Sequence, residues 1–539
     1  MHNPSVPLRL RDIVTGPALA GTDDVGVQVS RSLIAEAIKR LHPSAISTIF
    51  SGDTATSYPQ FPVVDRLRPQ KTEFWQFAGI TADEGTIEGT YQVHEDIYLR
   101  QLGLNASATP EVADDFTERL YLVHGDQLTA RRIRSVQQEQ IQASRAYDRR
   151  KWLLGVPAWF HIQMNLLYTI IRTHWQPSTP GQSTVHTVLK DATQWNRSQH
   201  SRDSIKYHLM EPIITQGYTS RVASLFYAAL RRRSLLSATI NSNAGRVDDI
   251  EDAMRSLTSA QFLAIIEEIR VAAFTPDAWR GLDADVDYRT MCRYLQEVEL
   301  FLAVQWAVKY GDIGMLRRLV DVLIVVFLGA SQHNYGREML YYRWILSSAN
   351  TPELQRAILS SGLVNWIGRP STFKPIDLAL EHLNCHCKVN LRNLKNSTHD
   401  ISIAFQRNAL CNTLIRCVRN QLESQFGETM SGTHSSSVAS ADMFLLAWQL
   451  FVGGYADARH SNSAVSSGMF DSIDLYQCGI DLLEERVDQF NQQHVSNTTT
   501  VPRFQAYDED NESFTDIEAF AEVYHEGYDA IDLPIVDLT

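Results

Sequence analysis

The sequence has few cysteines and no long apolar run. These two features argue against a disulfide-rich secreted protein and against a membrane-spanning protein. Its six cysteines all lie in the second half of the 539 residues and show no paired spacing, which argues against a secreted disulfide scaffold. The longest apolar run, VLIVVFLGA at 322–330, is too short to cross a bilayer. The N-terminus has no apolar core of signal-peptide length. We therefore expect an intracellular, soluble protein without a membrane partner.

The motifs of several common enzyme classes are also missing. There is no phosphate loop of the G-x-x-x-x-G-K type, no G-x-G-x-x-G after a strand and no G-x-S-x-G elbow, so nucleotide hydrolysis and hydrolase chemistry have no support. With 44% hydrophobic and 21% charged residues, the chain is globular and long enough for more than one core.

Basic residues are missing from the end of the chain. The net charge is −13, but eleven acids and no Lys or Arg lie between Tyr507 and Thr539, so residues 1–506 carry only −2. Such a tail predicts either a partner-binding motif or a solvated segment. Three basic clusters lie in the body, namely Arg131, Arg132 and Arg134; Arg149, Arg150 and Lys151; and Arg231, Arg232 and Arg233. They are candidates for contact with DNA phosphates, although a solvated helix face is the commoner role of such runs.

Changes in composition divide the chain into four segments. These are an irregular region with short strands that completes a small sheet (1–128), a helical body (129–430), a Ser-rich loop with helices and a polar linker (431–503), and the acidic tail (504–539). Residues 152–175 are apolar nearly all round, which predicts a central buried helix entered through Pro157. The predicted fold class is mainly α with one small sheet, to which a strand near 357–367 would contribute.

The decapeptide LYLVHGDQLT at 120–129 places one acid after a short apolar run. One interpretation is a buried strand that presents Asp126 at its C-terminal end, where open α/β sheets build their sites. The other is that Asp126 caps the basic helix that follows, because Asp is a favoured N-cap residue. The decapeptide alone favours the cap.

A second acid-bearing segment is FKPIDLALEHLNCHCK at 373–388. On a helix that begins near Pro375, a polar stripe would contain Asp377, Glu381, Asn384 and Lys388, so that Glu381 could be presented to a metal. The same segment contains His382, Cys385, His386 and Cys387. A zinc site is the less favoured interpretation of these four residues, because no second Cys/His pair stands at zinc-finger distance.

Two further residues are candidates on weaker grounds. Glu338, in HNYGREMLYYRWIL at 333–346, could be an acid near the same centre, but a salt bridge to Arg337 or Arg343 is the more economical interpretation. His161 lies in the very apolar AWFHIQMNLL. A lone histidine on an apolar helix is usually a hydrogen-bonded core residue, and no catalytic partner for it is visible in the sequence.

Several of these stretches together resemble a fungal family catalogued as domain of unknown function 6589. The resemblance rests on LVHGDQLTARRIRSVQ, WFHIQMNLLYTIIRTHW, HNYGREML and DLALEHLNCHCK, and on the segment at 61–104 that precedes the Gly-Asp-Gln. It covers about residues 60–420. The family is uncharacterised, and its many near-copies in fungal genomes imply descent from transposable elements, which would place the protein in the nucleus.

A transposase ancestry implies a ribonuclease-H-like core interrupted by a large helical insertion. In such a core, Asp126 and Glu381 would be the catalytic acids and would hold Mg²⁺ or Mn²⁺ for phosphoryl transfer. Relatives carry an earlier Tyr-Asp-Asn that this chain lacks; Asp65 is the nearest substitute and a poor one, so the site is expected to be decayed. The alternative function is a non-catalytic helical binding or scaffold protein whose acidic tail binds a partner.

Overall fold

The computed structural model describes residues 7–13, 23–51, 57–103, 117–175, 205–236, 246–275, 285–349, 351–392, 440–457 and 471–494, together with the single positions 409, 411, 418 and 421. Within these residues the protein is mainly helical, as the sequence predicts, and its strands are few and short. The acidic tail, the Ser-rich loop and the polar linker lie outside the described residues.

The described part of the chain contains fifteen α-helices. In chain order they are α1 (Asp24–Leu41), α2 (Pro43–Phe50), α3 (Ile87–Glu95), α4 (Gln127–Glu139), α5 (Trp159–His174), α6 (Tyr207–Arg232), α7 (Arg246–Arg255), α8 (Ser259–Ile269), α9 (Val286–Tyr310), α10 (Ile313–Gly329), α11 (His333–Ser348), α12 (Pro352–Ser360), α13 (Ile376–Arg392), α14 (Ser440–Val452) and α15 (Leu475–His494). No described helix is both long and apolar enough to cross a membrane.

Two central helices, α9 and α10, are separated by a sharp helix boundary that the sequence predicts. Gly311 ends α9 in the left-handed conformation, with φ of 65°, which glycine adopts without steric cost. Asp312 then caps α10 by accepting a hydrogen bond from the amide of Met315 at 3.0 Å. The chain therefore reverses within two residues, and α9 and α10 pack together in the core.

Helices α5, α6, α9 and α10 form the centre of the hydrophobic core, and most of their apolar side chains are fully buried. The last described helix, α15, packs directly on α10. Two glycines permit this approach, because a Cβ atom added at Gly329 would overlap the carbonyl of Leu475 and one added at Gly479 would overlap that of Val325. At the outer side of α15, Asn491 exchanges two hydrogen bonds with the backbone of Leu8, at 2.9 and 2.7 Å.

The strands form two small pairs. β1 (Tyr121–Gly125) and β2 (Leu153–Pro157) are parallel, with Gly125 opposite Pro157. β3 (Leu363–Val364) and β4 (Lys374–Pro375) are antiparallel, and β3 falls within the predicted strand region at 357–367. The described strands form two separate pairs and do not by themselves define a ribonuclease-H-like sheet.

The prediction of one helix over 152–175 is wrong in its first third. Residues Leu153–Pro157 form the fully buried strand β2, and α5 begins only at Trp159. Gly155 and Pro157 disfavour a helix at this point. Gly155 also lets β2 approach α4, since an added Cβ atom would lie 3.2 Å from the Cα atom of Ala130.

The N-terminal region also differs from the expectation of short strands. Residues 24–50 form α1 and α2, and the apolar stretches within 61–82 are irregular, with a single bridge between Arg66 and Asp312. Asp23 begins α1 by capping the amide of Gly26 at 3.0 Å. In the described residues before position 128, only β1 joins a sheet. The irregular stretch gains its order from packing on α9 and α10, which local sequence patterns do not reveal.

Candidate functional site

The candidate site lies where β1 and β2 end side by side and each leads into a helix. Asp126 follows β1 and begins α4, while Ala158 follows β2 and begins α5. The amide of Ala158 donates to the carbonyl of Gly125 at 3.1 Å, which ties the two strand ends together. Helix α13 packs against α5 and β1. The N-termini of α4 and α5 and the first turns of α13 therefore meet at one edge of the sheet.

Asp126 is an N-cap residue, as the decapeptide alone predicts; the expectation that a metal-ligating Asp126 would be free of the amide of Thr129 is wrong. Its backbone is extended and its Oδ1 atom accepts a hydrogen bond from the amide of Thr129 at 2.7 Å. Within the described residues, its Oδ2 atom makes no hydrogen bond. The cap therefore uses one carboxylate oxygen and leaves the charge and the second oxygen at the end of β1.

His161 has a partner that the sequence does not reveal. The buried carboxylate of Asp377, from the first turn of α13, accepts hydrogen bonds from the amides of Phe160 and His161 at 3.2 and 3.0 Å. It also lies 2.9 Å from Nδ1 of His161. An anion is favoured at this position because the first amides of α5 point at it. Asp377 thereby fixes the orientation of the imidazole ring and leaves Nε2 for another group.

The charges of Asp126 and Glu381 converge on this histidine. Burial alone would lower the pKa of His161, but the hydrogen bond and charge of Asp377, together with the charges of Asp126 and Glu381, raise it above its usual value. Two carboxylates far apart in the sequence therefore act on one imidazole. The structure brings together three of the candidate residues: Asp126, Glu381 and His161.

Glu84 is a further acid at this site that the sequence interpretation missed. Burial of its carboxyl group raises its pKa, and the negative charges of Asp126, Glu381 and Asp83 raise it further. Glu84 as a whole residue is exposed, so the desolvation concerns the carboxyl end of the side chain. We call Glu84, Asp126 and Glu381 the carboxylate cluster. Their mutual repulsion is the kind of arrangement that a bound cation relieves.

We expect replacement of Asp377 by asparagine to lower the pKa of His161. The substitution keeps the size of the side chain but removes the charge that favours the imidazolium ion. Replacement of Asp126 by asparagine should lower this pKa by a smaller amount, because Asp126 acts only through space. NMR titration of ¹³C-labelled histidine rings, assigned with His161→Gln, measures the shift. An unchanged pKa in Asp377→Asn would contradict the assignment.

Two other candidate acids lie elsewhere and are engaged in ion pairs. Asp65 pairs with Arg356 on α12. Glu338 pairs with Arg134 on α4, so its expected pairing with Arg337 or Arg343 is wrong. Neither acid is among the groups that shift the pKa of His161 or Glu84. The structure does not bring Asp65 or Glu338 into the carboxylate cluster.

A second histidine lies beside the site on β1. His124 Nε2 and the hydroxyl of Ser361 are 2.8 Å apart, and burial lowers the pKa of His124 to about 4 despite the charge of Asp377. His124 is therefore neutral at physiological pH. It connects β1 to the end of α12.

The three predicted basic clusters differ in how much charge they present. Ion pairs engage Arg231, Arg232 and Arg233 with Asp457 and Glu268. Arg150 is buried over the ring of Tyr147. On α4, burial and the neighbouring charges of Arg337, Arg132 and Arg134 lower the pKa of Arg131, which indicates a concentration of positive charge next to the candidate site.

The donor atoms of the carboxylate cluster suit a hard cation such as Mg²⁺ or Mn²⁺, which prefers carboxylate oxygens. As placed, however, no three His, Cys, Asp or Glu side chains of the described residues are arranged to hold a metal ion. The zinc alternative is not decided, since the side chains of residues 385–387 lie outside the described set. His382 is buried beside the ring of Trp366.

Comparison with curated proteins and with solved structures returns no match. Comparison with family models gives one described match, which covers most of the chain and includes every residue of the candidate site. The matched region extends from α1 to beyond α13 and ends before α14 and α15. On the basis of this match across residues 12–434, the chain belongs to the family of unknown function DUF6589.

Proposed function

We propose that the protein is derived from a transposase and that its carboxylate cluster is a site for cation-dependent phosphoryl transfer on DNA, in an active or a decayed form. One observation carries the proposal. The charges of Asp126, at the end of a parallel strand, and of Glu381, on a helix far along the chain, act on the same histidine and on the same third acid, Glu84. Acids from a strand end and a later helix are the arrangement that a ribonuclease-H-like core requires.

Each residue of the site has a distinct role in this proposal. Asp126, Glu381 and Glu84 would bind Mg²⁺ or Mn²⁺, whose positive charge stabilises a transferring phosphoryl group. Glu84 would supply the third carboxylate, since its charge and those of Asp126 and Glu381 act on one another. Asp377 holds the imidazole of His161 at Nδ1, so that Nε2 points away from Asp377. In the proposal, Nε2 of His161 carries the proton that is exchanged with the substrate.

The surroundings of the cluster also suit a phosphate-bearing substrate. Helix α4 carries Asp126 at its N-terminus and Arg131 and Arg132 one to two turns later. Arg337, on the adjacent helix α11, contributes to the same positive charge. In the proposal, these arginines hold the nucleic acid backbone while the acids bind the cation. A protein with this role would act in the nucleus.

Metal titration of matched variants tests the proposal. We expect Asp126→Asn to lower the affinity for Mn²⁺ or Mg²⁺ by about tenfold or more. Loss of a residue that only supports a metal ligand already lowers metal affinity by about tenfold, and loss of a ligand should cost at least as much. Asparagine caps helices as well as aspartate does, so the melting temperature should hardly change. Glu381→Gln and Glu84→Gln should also weaken binding. Isothermal titration calorimetry measures the affinity, and nicking of supercoiled DNA measures activity.

The matched control is Asp285→Asn. Asp285 also caps a helix, by accepting from the amide of Tyr288 at 3.0 Å, but it lies on α9, outside the cluster. Its substitution should leave metal binding unchanged. Equal, negligible metal binding by the wild type and all variants would refute the metal site. Metal binding without nicking would identify a decayed site.

The alternative is a helical binding or scaffold protein in which the former core serves as a platform. Two observations favour it: Asp126 works as a cap, and Asp377 is fully used in holding the start of α5. In that case the Asp126→Asn and Glu381→Gln variants would bind partners normally. The acidic tail would then supply the contact with a protein partner.

A further inference from the structure

A cavity of about 610 Å³ lies apart from the carboxylate cluster. Its walls are α1, α10, the loop that contains Val64 and Asp65, and the helices α11 and α12. None of the residues of the carboxylate cluster lines it. The cavity is large enough for a small organic ligand.

Arginines dominate the polar lining of this cavity. Four line it, namely Arg317, Arg318, Arg343 and Arg356, against three aspartates, Asp23, Asp65 and Asp321. The lining therefore carries a formal charge of +1 by the difference of these two counts. In a protein whose whole chain carries −13, a cavity with excess positive charge concentrates anions.

The ion pairs in the cavity are of two kinds. Arg343 pairs with Asp321 at 2.9 Å, and both side chains are nearly buried. Arg318 pairs with Asp23 and Arg356 with Asp65, and in both pairs the side chains are between about a third and a half exposed. Exposed pairs of this kind contribute little free energy, so their arginines can exchange one anion for another at small cost.

Arg317 differs from the other three arginines of the cavity lining. Among the described residues it has no ion-pair partner, and its side chain is exposed at the mouth of the cavity. Helices α1, α10 and α12 also begin at this cavity, with Gly26, Gly314 and Pro352 in its lining. Asp23 and Asp312 cap the first two of these helices, so the positive potential at the cavity comes mainly from the arginines.

We propose that this cavity binds a small anion that carries two or more phosphate groups. Arg317, Arg318 and Arg356 would contact the phosphates in place of the ion pairs of Arg318 with Asp23 and of Arg356 with Asp65, while Asp23 keeps its hydrogen bond as the cap of α1. Arginine suits this role because its planar group donates two parallel hydrogen bonds to a phosphate. Arg343 stays paired with Asp321 at the inner wall. The site is independent of the carboxylate cluster and of the function proposed for it.

Two substitutions with opposite expected effects test the proposal, with pyrophosphate as the probe and the full chain in calorimetry. Arg317→Gln removes the unpaired guanidinium and should weaken pyrophosphate binding by about tenfold. Asp65→Asn removes a carboxylate that competes for Arg356 and should strengthen binding by about threefold. Both side chains are exposed, so circular dichroism and melting temperature should match those of the wild type.

Arg100→Gln is the matched control, because Arg100 forms an exposed ion pair with Asp96 outside the cavity. It should bind pyrophosphate as the wild type does. The wild-type affinity should fall steeply as the salt concentration rises. The proposal is overturned if the wild type does not bind pyrophosphate, or if Arg317→Gln and Asp65→Asn bind it as tightly as the wild type and the control.

Discussion

Replacement of Asp312 by alanine should lower the free energy of unfolding by about 5 kcal/mol, since three hydrogen bonds to one charged group are lost. The Asp312 carboxylate is fully buried and accepts from the amides of Val64, Asp65 and Met315, each at 3.0 Å. Arg66 adds a distant charge at 3.8 Å. Alanine would leave these amides without acceptors and weaken the attachment of residues 64–65 to α10, which would keep only the hydrogen bond from the amide of Gly314 to the carbonyl of Asp65.

Denaturant unfolding followed by circular dichroism measures this loss. The comparison is Asp285→Ala, which removes a helix cap that accepts from the amide of Tyr288; loss of the cap should cost about 1 kcal/mol. If Asp312→Ala costs no more than Asp285→Ala, then the attachment of the 64–65 loop through Asp312 contributes nothing beyond an ordinary cap.

Replacement of Glu299 by glutamine should stabilise the protein, and more so at high pH. Glu299 lies on α9, is fully buried, and neither carboxylate oxygen has a hydrogen-bond partner among the described residues. Burial raises the pKa of Glu299 to about 8, although the nearby Ser30 hydroxyl and the charge of Arg270 oppose the rise. The folded protein therefore keeps this carboxyl group protonated at a pH where the unfolded chain has released the proton.

The direction of the pH effect follows from the pKa of Glu299 in the folded protein and in the unfolded chain. The folded state holds one more proton than the unfolded state between pH 4.5, the ordinary pKa of glutamate, and about pH 8, so this group makes the protein less stable as the pH rises through that window. At pH 7 the cost is about 3 kcal/mol. Glu299→Gln should remove it, and its melting temperature should exceed that of the wild type by more at pH 8 than at pH 5.

Glu297, two residues earlier on α9, is the natural comparison. It is also buried, but it lies 2.9 Å from Nε2 of His174. Glu297→Gln would break this buried pair and should destabilise the protein. Differential scanning calorimetry of both variants over pH 5–8 separates the two cases. A destabilised Glu299→Gln at pH 8 would show that its carboxyl group is ionised and paired in the folded protein.

Local signals in the sequence were sufficient for the features that depend on neighbours in the chain. Gly311 and Asp312 mark the boundary between α9 and α10 by their own conformational preferences. The start of α13 near Pro375 and the helix cap at Asp126 likewise depend only on residues that are close in the sequence. The strand β2 was missed because five apolar residues before an apolar helix have no distinctive period.

The candidate site was predictable only in part. Asp126 and Glu381 could be proposed from a strand end and a polar stripe, but the partner of His161 is a residue of α13, more than two hundred positions later. Glu84 lies in an irregular turn before α3 whose position depends on tertiary packing. No pattern of spacing encodes contacts between segments so far apart, and the pairing of Glu338 with Arg134 rather than a near neighbour has the same cause.

The packing of α15 on α10 has a consequence for how the chain folds as it is synthesised. The face of α10 that receives α15 through Gly329 and Gly479 leaves the ribosome long before its partner does. Until α15 emerges, that apolar face has to remain exposed or be shielded by a chaperone. The contact between Leu8 and Asn491 likewise requires α15. The native core is therefore complete only after α15 has been synthesised. We expect the nascent chain to be most prone to aggregation during translation of the region between α10 and α15.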